Sequence, residues 1–174
     1  MIPAVAEVLL DPKQLQDRIG QLGRQISQDY AGKEPLFVGV LKGAAMFMMD
    51  LIRCVELPLA IDFMAVSSYG AATESSGVVR ILKDLEGAID GRDVILVEDI
   101  IDSGLTIAYV LDMLRRRGPA SLKVCALLVK ERAAAAGLSA DYLGFTIPDK
   151  FVVGYGLDFD ERYRNLPYVG IFAS

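Results

Sequence analysis

The stretch Val94-Ile95-Leu96-Val97-Glu98-Asp99-Ile100-Ile101-Asp102-Ser103-Gly104-Leu105-Thr106 decides the fold. Its run of β-branched and aliphatic residues predicts a buried strand over 94–97. Two adjacent carboxylates end that run, and a small-residue turn then opens an amphipathic helix over 106–117. Acids at a strand end can hold a divalent cation and sugar hydroxyls. A turn at a helix N-terminus can hold a phosphate, because successive backbone N–H groups point outward and the helix dipole favours negative charge. An ordinary N-cap would explain Asp102-Ser103-Gly104 taken alone. Glu98 and Asp99 change the balance, since carboxylates ending a buried strand are costly unless solvated, paired or metal-bound. The segment as a whole suggests a site for a phosphorylated sugar.

Strands and helices alternate on either side of it. Residues 11–30 read as a helix, with Asp11 as N-cap, Pro12 as first helical residue, an apolar face of Leu15, Ile19, Leu22 and Ile26, and Gly32 at its end. Residues 36–41 read as a strand, 44–55 as a buried helix, 59–67 and 78–83 as strands, and 122–129 as a further buried strand. The polar, small-residue stretch 68–77 reads as a loop, Asp90-Gly91 as a turn, and Gly118-Pro119 as a helix stop. A helical turn over 133–136 and short strands over 142–147, 151–155 and 168–172 complete the chain. The alternation predicts right-handed βαβ units and a parallel α/β sheet, with the last short strands as a small C-terminal flap. No linker, repeat or low-complexity tract divides residues 1–174, so one domain is expected.

Composition narrows the chemistry. The 174 residues contain no histidine, which removes Ser-His-Asp and Cys-His mechanisms and His-ligated metals. Cys54 and Cys125 lie in apolar segments and read as core. A metal would therefore be a hard cation held by oxygen, with Mg²⁺ the obvious choice. The net charge of -5, without a basic block, argues against nonspecific nucleic-acid binding as the main role. No apolar run approaches membrane-spanning length, and the first ten residues lack the basic start of a signal peptide, so a cytoplasmic protein is expected.

In an open α/β sheet, ligands bind beyond the carboxyl ends of the strands. Lys42-Gly43, the segment 98–106 and Lys130-Glu131 all leave such ends and should line one crevice. Singly, the flanking residues are bland. Lys130 could be a solvated strand end, Phe151 core, and Asp158 with Arg164 a surface pair.

Jointly they carry a resemblance. Val97 to Thr106 resembles the phosphoribosyl-pyrophosphate (PRPP) motif of type I phosphoribosyltransferases. Leu41-Lys42-Gly43-Ala44 resembles the pyrophosphate loop of the hypoxanthine-guanine phosphoribosyltransferase family, although Ala44 stands where many relatives carry a second glycine. Ser68-Tyr69-Gly70 resembles the start of that family's mobile loop. Val129-Lys130 and Pro148-Asp149-Lys150-Phe151-Val152-Val153-Gly154-Tyr155 resemble its purine-reading segments, and Leu157-Asp158 and Arg164 match its last acidic and basic positions.

The resemblance implies a type I phosphoribosyltransferase fold, with a central parallel sheet flanked by helices and topped by a small C-terminal hood. It implies transfer of 5-phosphoribosyl from PRPP to N9 of a 6-oxopurine (hypoxanthine or guanine), giving IMP or GMP and pyrophosphate, by a homodimer or homotetramer. Glu98 and Asp99 would hold ribose hydroxyls and Mg²⁺, and Asp102 would manage the proton on purine N7. Ser103, Gly104, Leu105 and Thr106 would bind the 5′-phosphate, with no role for the Leu105 side chain. Lys130 would donate to the 6-oxo group, Phe151 would stack on the base, and the Val152 backbone would read its far edge. Asp158 would contact a second Mg²⁺ on the pyrophosphate, aided by Lys42, Gly43 and Arg164. Ser68 and Tyr69 would begin a lid.

Two other classes compete. A regulatory protein keeping the PRPP fold, sensing nucleotide or binding RNA, would need a basic face. The visible cluster, Arg115-Arg116-Arg117, sits at a helix C-terminus where the dipole alone explains it. Rossmann and P-loop enzymes fail for want of a G-x-G-x-x-G after a strand or a Gly-Lys-Ser/Thr turn.

Overall fold

The computed structural model describes residues 5–68 and 79–173. Its elements run β1 (Val5–Leu10), α1 (Pro12–Asp29), β2 (Leu36–Leu41), α2 (Ala45–Arg53), β3 (Ala60–Ser68), β4 (Val79–Lys83), β5 (Asp93–Ile101), α3 (Leu105–Arg115), β6 (Ser121–Lys130), α4 (Glu131–Ala135), β7 (Tyr142–Ile147), β8 (Val152–Val153) and β9 (Val169–Phe172).

Six strands form the main sheet in the order β4-β3-β2-β5-β6-β7. All neighbours pair in parallel except β4, which lies antiparallel to β3 at one edge. The sheet is therefore mixed, where the alternation predicted a parallel one. β5 is flanked on both sides, and Val94 to Val97 are wholly buried, as their aliphatic composition requires. Helices cover both faces. On one, Leu15, Ile19, Leu22 and Ile26 of α1 pack with Phe47, Met48 and Leu51 of α2 against Ile95 and Val97. On the other, Ile107, Val110 and Leu114 of α3 pack against Val94 and Leu96. Burying each of these large side chains stabilises the fold by about 2 kcal/mol relative to exposing it.

α1 begins as its sequence predicts. The Asp11 carboxylate accepts from the Gln14 N–H at 2.8 Å, and the Gln14 side chain accepts from the Asp11 N–H at 2.9 Å, closing a capping box. Gly91 and Gly118 take left-handed φ of 70° and 71° where the turn and the helix stop were expected.

Three differences matter for function. First, β5 does not end at Val97 but continues to Ile101, paired with β6 as far as Ile101↔Val129. The β2–β5 ladder runs only to Gly39↔Val97. Glu98 and Asp99 thus sit inside a strand that keeps its β6 neighbour, while β2 departs into the loop at Lys42-Gly43.

Second, the hood is built from both ends of the chain. β1 pairs antiparallel with β9, and β9 with β8. Register shifts within β1 break the alternation that would have marked it as a strand.

Third, the strand expected over 151–155 shrinks to Val152–Val153. Gly154, Tyr155 and Gly156 all take positive φ (98°, 50° and 99°) and turn the chain.

No helix among the described residues is long and apolar enough to cross a membrane.

Candidate active site

The carboxyl ends of β2, β5 and β6 lie at one end of the sheet, where Gly43 abuts Asp99, but Lys42 and Gly43 line neither of the two cavities there. Glu98, Asp99, Asp102, Ser103, Gly104 and Thr106 line a cavity of about 240 Å³ there. A second cavity of about 240 Å³ adjoins it across Asp99, Ile100 and Asp102, and is walled by Lys130, Phe151, Val152, Leu157 and Asp158.

Glu98 is only 7% exposed. Burial, reinforced by the neighbouring Asp99 charge, pushes its carboxyl well above the usual range. Burial likewise raises Asp99 to about 6, against the pull of hydrogen bonds such as the one from the Ile100 N–H at 2.7 Å. Among the described residues no cation lies within ion-pair distance of either acid. Their hard oxygens and missing countercharge fit a divalent cation. No cluster of three candidate ligands occurs among the described residues, so such an ion would need substrate or water oxygens as well.

The anion turn is open. Gly104 is the N-cap of α3, left-handed at φ 77°, and no side chain caps the helix. The Leu105 N–H has only a long 3.5 Å contact to the Ser103 hydroxyl. The left-handed φ favours glycine at 104; a Cβ there would also push the Leu138 methyl aside, from 2.4 Å. α3 starts at Leu105, one residue before the sequence predicts, and the Leu105 side chain is exposed.

Asp102 is held at both oxygens. Lys130 Nζ lies 3.0 Å from Oδ2, and the Arg132 guanidinium grips Oδ1, with Nε at 3.1 Å. Burial would raise the Asp102 carboxyl, but these two cations outweigh it and hold it below the usual range. Lys130 is 9% exposed, so it is no solvated strand end. Phe151 is no core residue either. It is 53% exposed and stands edge-on to Phe159 and Phe172, each 5.9 Å between ring centroids.

The β2–α2 loop and the hood meet through glycines. A Cβ on Gly43 would fall 1.7 Å from Asp99 Oδ2, and one on Gly156 would fall 2.1 Å from the Gly43 carbonyl. The Leu41–Lys42 peptide is cis. Asp158 and Arg164 pair at 2.9 Å, and Arg164 also donates to the Gly156 carbonyl at 2.7 Å. Lys42 reaches Glu161 at 2.6 Å.

Arg132 and Glu161 are functional candidates that the sequence reading missed. Each stands in a short charged run, Lys130-Glu131-Arg132 and Asp160-Glu161-Arg162, beside residues already singled out. The strand-end argument applied to Lys130 extends to Arg132. Of the lid expected over 68–77, Ser68 instead closes β3 by pairing with Val79, and Tyr69 with the rest lies outside the described residues. In the basic run, Arg116 and Arg117 are met by Asp112 and Asp84, each at 2.8 Å.

Comparison with known proteins gives the same outline. The family model described as "Phosphoribosyl transferase domain" matches residues 6–160. A hypoxanthine-guanine phosphoribosyltransferase of Mycobacterium avium is 54% identical over 172 residues, covering 95% of this chain and 85% of that protein. The bifunctional protein TilS/HprT of Listeria innocua is 51% identical over 96% of this chain, which spans only 26% of that longer protein. The crystal structure of a hypoxanthine phosphoribosyltransferase from Staphylococcus aureus superposes with a TM-score of 0.92 at 47% identity, covering 98% of this chain and 92% of the other.

Proposed function

Because the chain belongs to the hypoxanthine-guanine phosphoribosyltransferase family, with the type I phosphoribosyltransferase fold, we propose that it is a purine-salvage transferase. It moves 5-phosphoribosyl from PRPP to N9 of hypoxanthine or guanine, releasing pyrophosphate and IMP or GMP. The observation that carries this reading is the shared wall of the two cavities. A buried acid pair and an uncapped helix start line one, and a base-sized space walled by Phe151 and Lys130 opens from the other side of Asp99 and Asp102.

Glu98 and Asp99 hold the ribose hydroxyls. They would also hold one Mg²⁺ together with substrate or water oxygens, and Asp158 would contact a second; when bound, the metal would neutralise charge building on the leaving pyrophosphate. The backbone of Ser103 to Thr106 takes the 5′-phosphate, and the Ser103 and Thr106 hydroxyls add donors. Phe151 stacks on the base, Val152 reads its far edge through its backbone, and Lys130 turns its ammonium from Asp102 to the 6-oxo oxygen. Asp102 then faces N7 as an anion and accepts its proton, a contribution of about 10²–10⁴-fold to rate. Arg132 stays on the opposite oxygen. Lys42, the Gly43 backbone and Arg164 receive the departing pyrophosphate. No covalent nucleophile is required, in keeping with a chain that lacks histidine.

A panel of hypoxanthine, guanine, xanthine and adenine, each with PRPP and Mg²⁺, tests the reading through pyrophosphate release. Turnover with hypoxanthine or guanine is expected. Release that needs no 6-oxopurine, or no release with any base, would overturn it. The same reading makes the chain a homodimer or homotetramer, which sedimentation measures directly, and places it in the cytoplasm.

A further inference from the structure

Glu161 stands where the proposed reaction needs an anion. Lys42, on the β2–α2 loop, and Arg164, at the end of the hood turn, are the two cations that reading assigns to the leaving pyrophosphate. They are bridged by one carboxylate: Glu161 Oε2 lies 2.6 Å from Lys42 Nζ, and Oε1 lies 3.3 Å from Arg164 Nη2. One oxygen on each cation is also the arrangement a phosphoryl group offers.

The backbone aims this carboxylate. Asp160, Glu161 and Tyr163 all take left-handed φ of 52°, 61° and 77°, a conformation uncommon for residues with a side chain. The Phe159 and Arg162 backbones bond each other at 3.1 Å across the turn, and the Glu161 N–H donates to Asp158 Oδ2 at 2.9 Å. Asp158 in turn pairs with Arg164. The approach of Gly156 to the Gly43 carbonyl sets the turn against the Lys42 loop. Lys42 and Glu161 are both well exposed, so their contact does little for the fold and can be exchanged for a ligand.

We propose that Glu161 is a built-in competitor for pyrophosphate, a positioning residue that holds Lys42 and Arg164 together when no pyrophosphate is bound and takes them back as the product leaves. The proposal rests on the assignment of those two cations to the leaving group. A polyanionic pyrophosphate displaces a single carboxylate, but its binding is weakened by the contacts it must replace. Glu161 thereby lowers product retention without touching the base.

Calorimetric titration of inorganic pyrophosphate, in magnesium chloride, into the full chain and its Glu161→Gln variant tests this. The variant should bind pyrophosphate about three- to tenfold more tightly, the scale of one or two exchangeable ion pairs. Its KM for hypoxanthine should stay unchanged. Glu161→Ala, which keeps no hydrogen-bonding group, should bind at least as tightly as Glu161→Gln. An unchanged or weakened pyrophosphate affinity in both variants, with Lys42→Ala weakening it, would overturn the competitor role and leave the leaving-group assignment standing. Pyrophosphate affinity indifferent to Lys42→Ala and Arg164→Ala would remove that assignment and the competitor role with it.

Discussion

Gly43 has no room for a side chain because Asp99 already fills the space: a Cβ there would sit 1.7 Å from the Asp99 carboxylate oxygen. The contact follows from the sheet register. The β2–β5 ladder ends at Gly39↔Val97, two residues short of Asp99, while β2 itself ends at Leu41. The loop leaving β2 must then cross directly above the acid. The proposed pyrophosphate loop and the proposed ribose acid are thus one packed unit.

Gly43→Ala should therefore damage PRPP use specifically. Asp99 is buried and short, so the loop must move, and misplacement by an ångström costs up to about 10²-fold in rate. A 10- to 10²-fold fall in kcat/KM for PRPP, with purine affinity within about twofold, is expected from steady-state kinetics. Equal losses for both substrates would point to general misfolding instead.

Lys130→Ala should raise the KM for hypoxanthine by about 10–10²-fold, the worth of one charge-assisted hydrogen bond to the 6-oxo group. The KM for PRPP should move little. Asp102 keeps Arg132 in this variant, so its carboxylate is not left buried without a partner. An unchanged hypoxanthine KM would reject the base-reading role.

Asp102→Asn should lower turnover by about 10²–10⁴-fold and leave the KM for PRPP within a few-fold. Asparagine keeps the size of the side chain but cannot take up a proton at N7. Arg132→Ala leaves the carboxylate intact and should cost less than Asp102→Asn in single-turnover rate. The reverse order would move the essential role from Asp102 to Arg132.

Much of this arrangement was legible in the chain. The apolar run 94–97, the Asp11-Pro12 helix start and the Gly118 stop are local signals; the helix start and the stop lie where expected, and 94–97 falls within the longer strand β5. The turn over 102–106 was legible for the same reason, since its strand, acids and glycine are contiguous. What escaped depends on distant partners. β1 exists because β9 lies beside it, and its register shifts erase the periodicity that would mark it. The extension of β5 through Glu98 and Asp99 depends on β6 staying paired after β2 has left. Arg132 and Glu161 are ordinary surface charges in sequence, and only the fold brings them to Asp102 and Lys42.

The last prediction concerns the cost of keeping the acid pair buried. Asp99 is raised to about 6, chiefly by burial, from an ordinary value of 3.8. Between those values the folded chain holds a proton that the unfolded chain has released. The stabilising contribution of the protonated acid is complete below about pH 4 and is lost as pH rises through about 6. Glu98, raised by burial and then by the Asp99 charge, adds to the loss in the same direction. Asp99→Asn removes the ionisation, so the ligand-free variant should be more stable than the parent at pH 7.5, by on the order of 1–3 kcal/mol. At pH 4 the two should converge. The variant should also lose the thermal shift that Mg²⁺ and PRPP together give the parent, because the countercharge they meet is gone. Thermal denaturation of both proteins from pH 4 to 8, with and without these ligands, measures each effect. Parallel stability curves would mean that Asp99 is already ionised at no cost in the empty fold. A stabilised but inactive variant would place the strain of the site in the carboxylate proposed to hold the ribose and the metal.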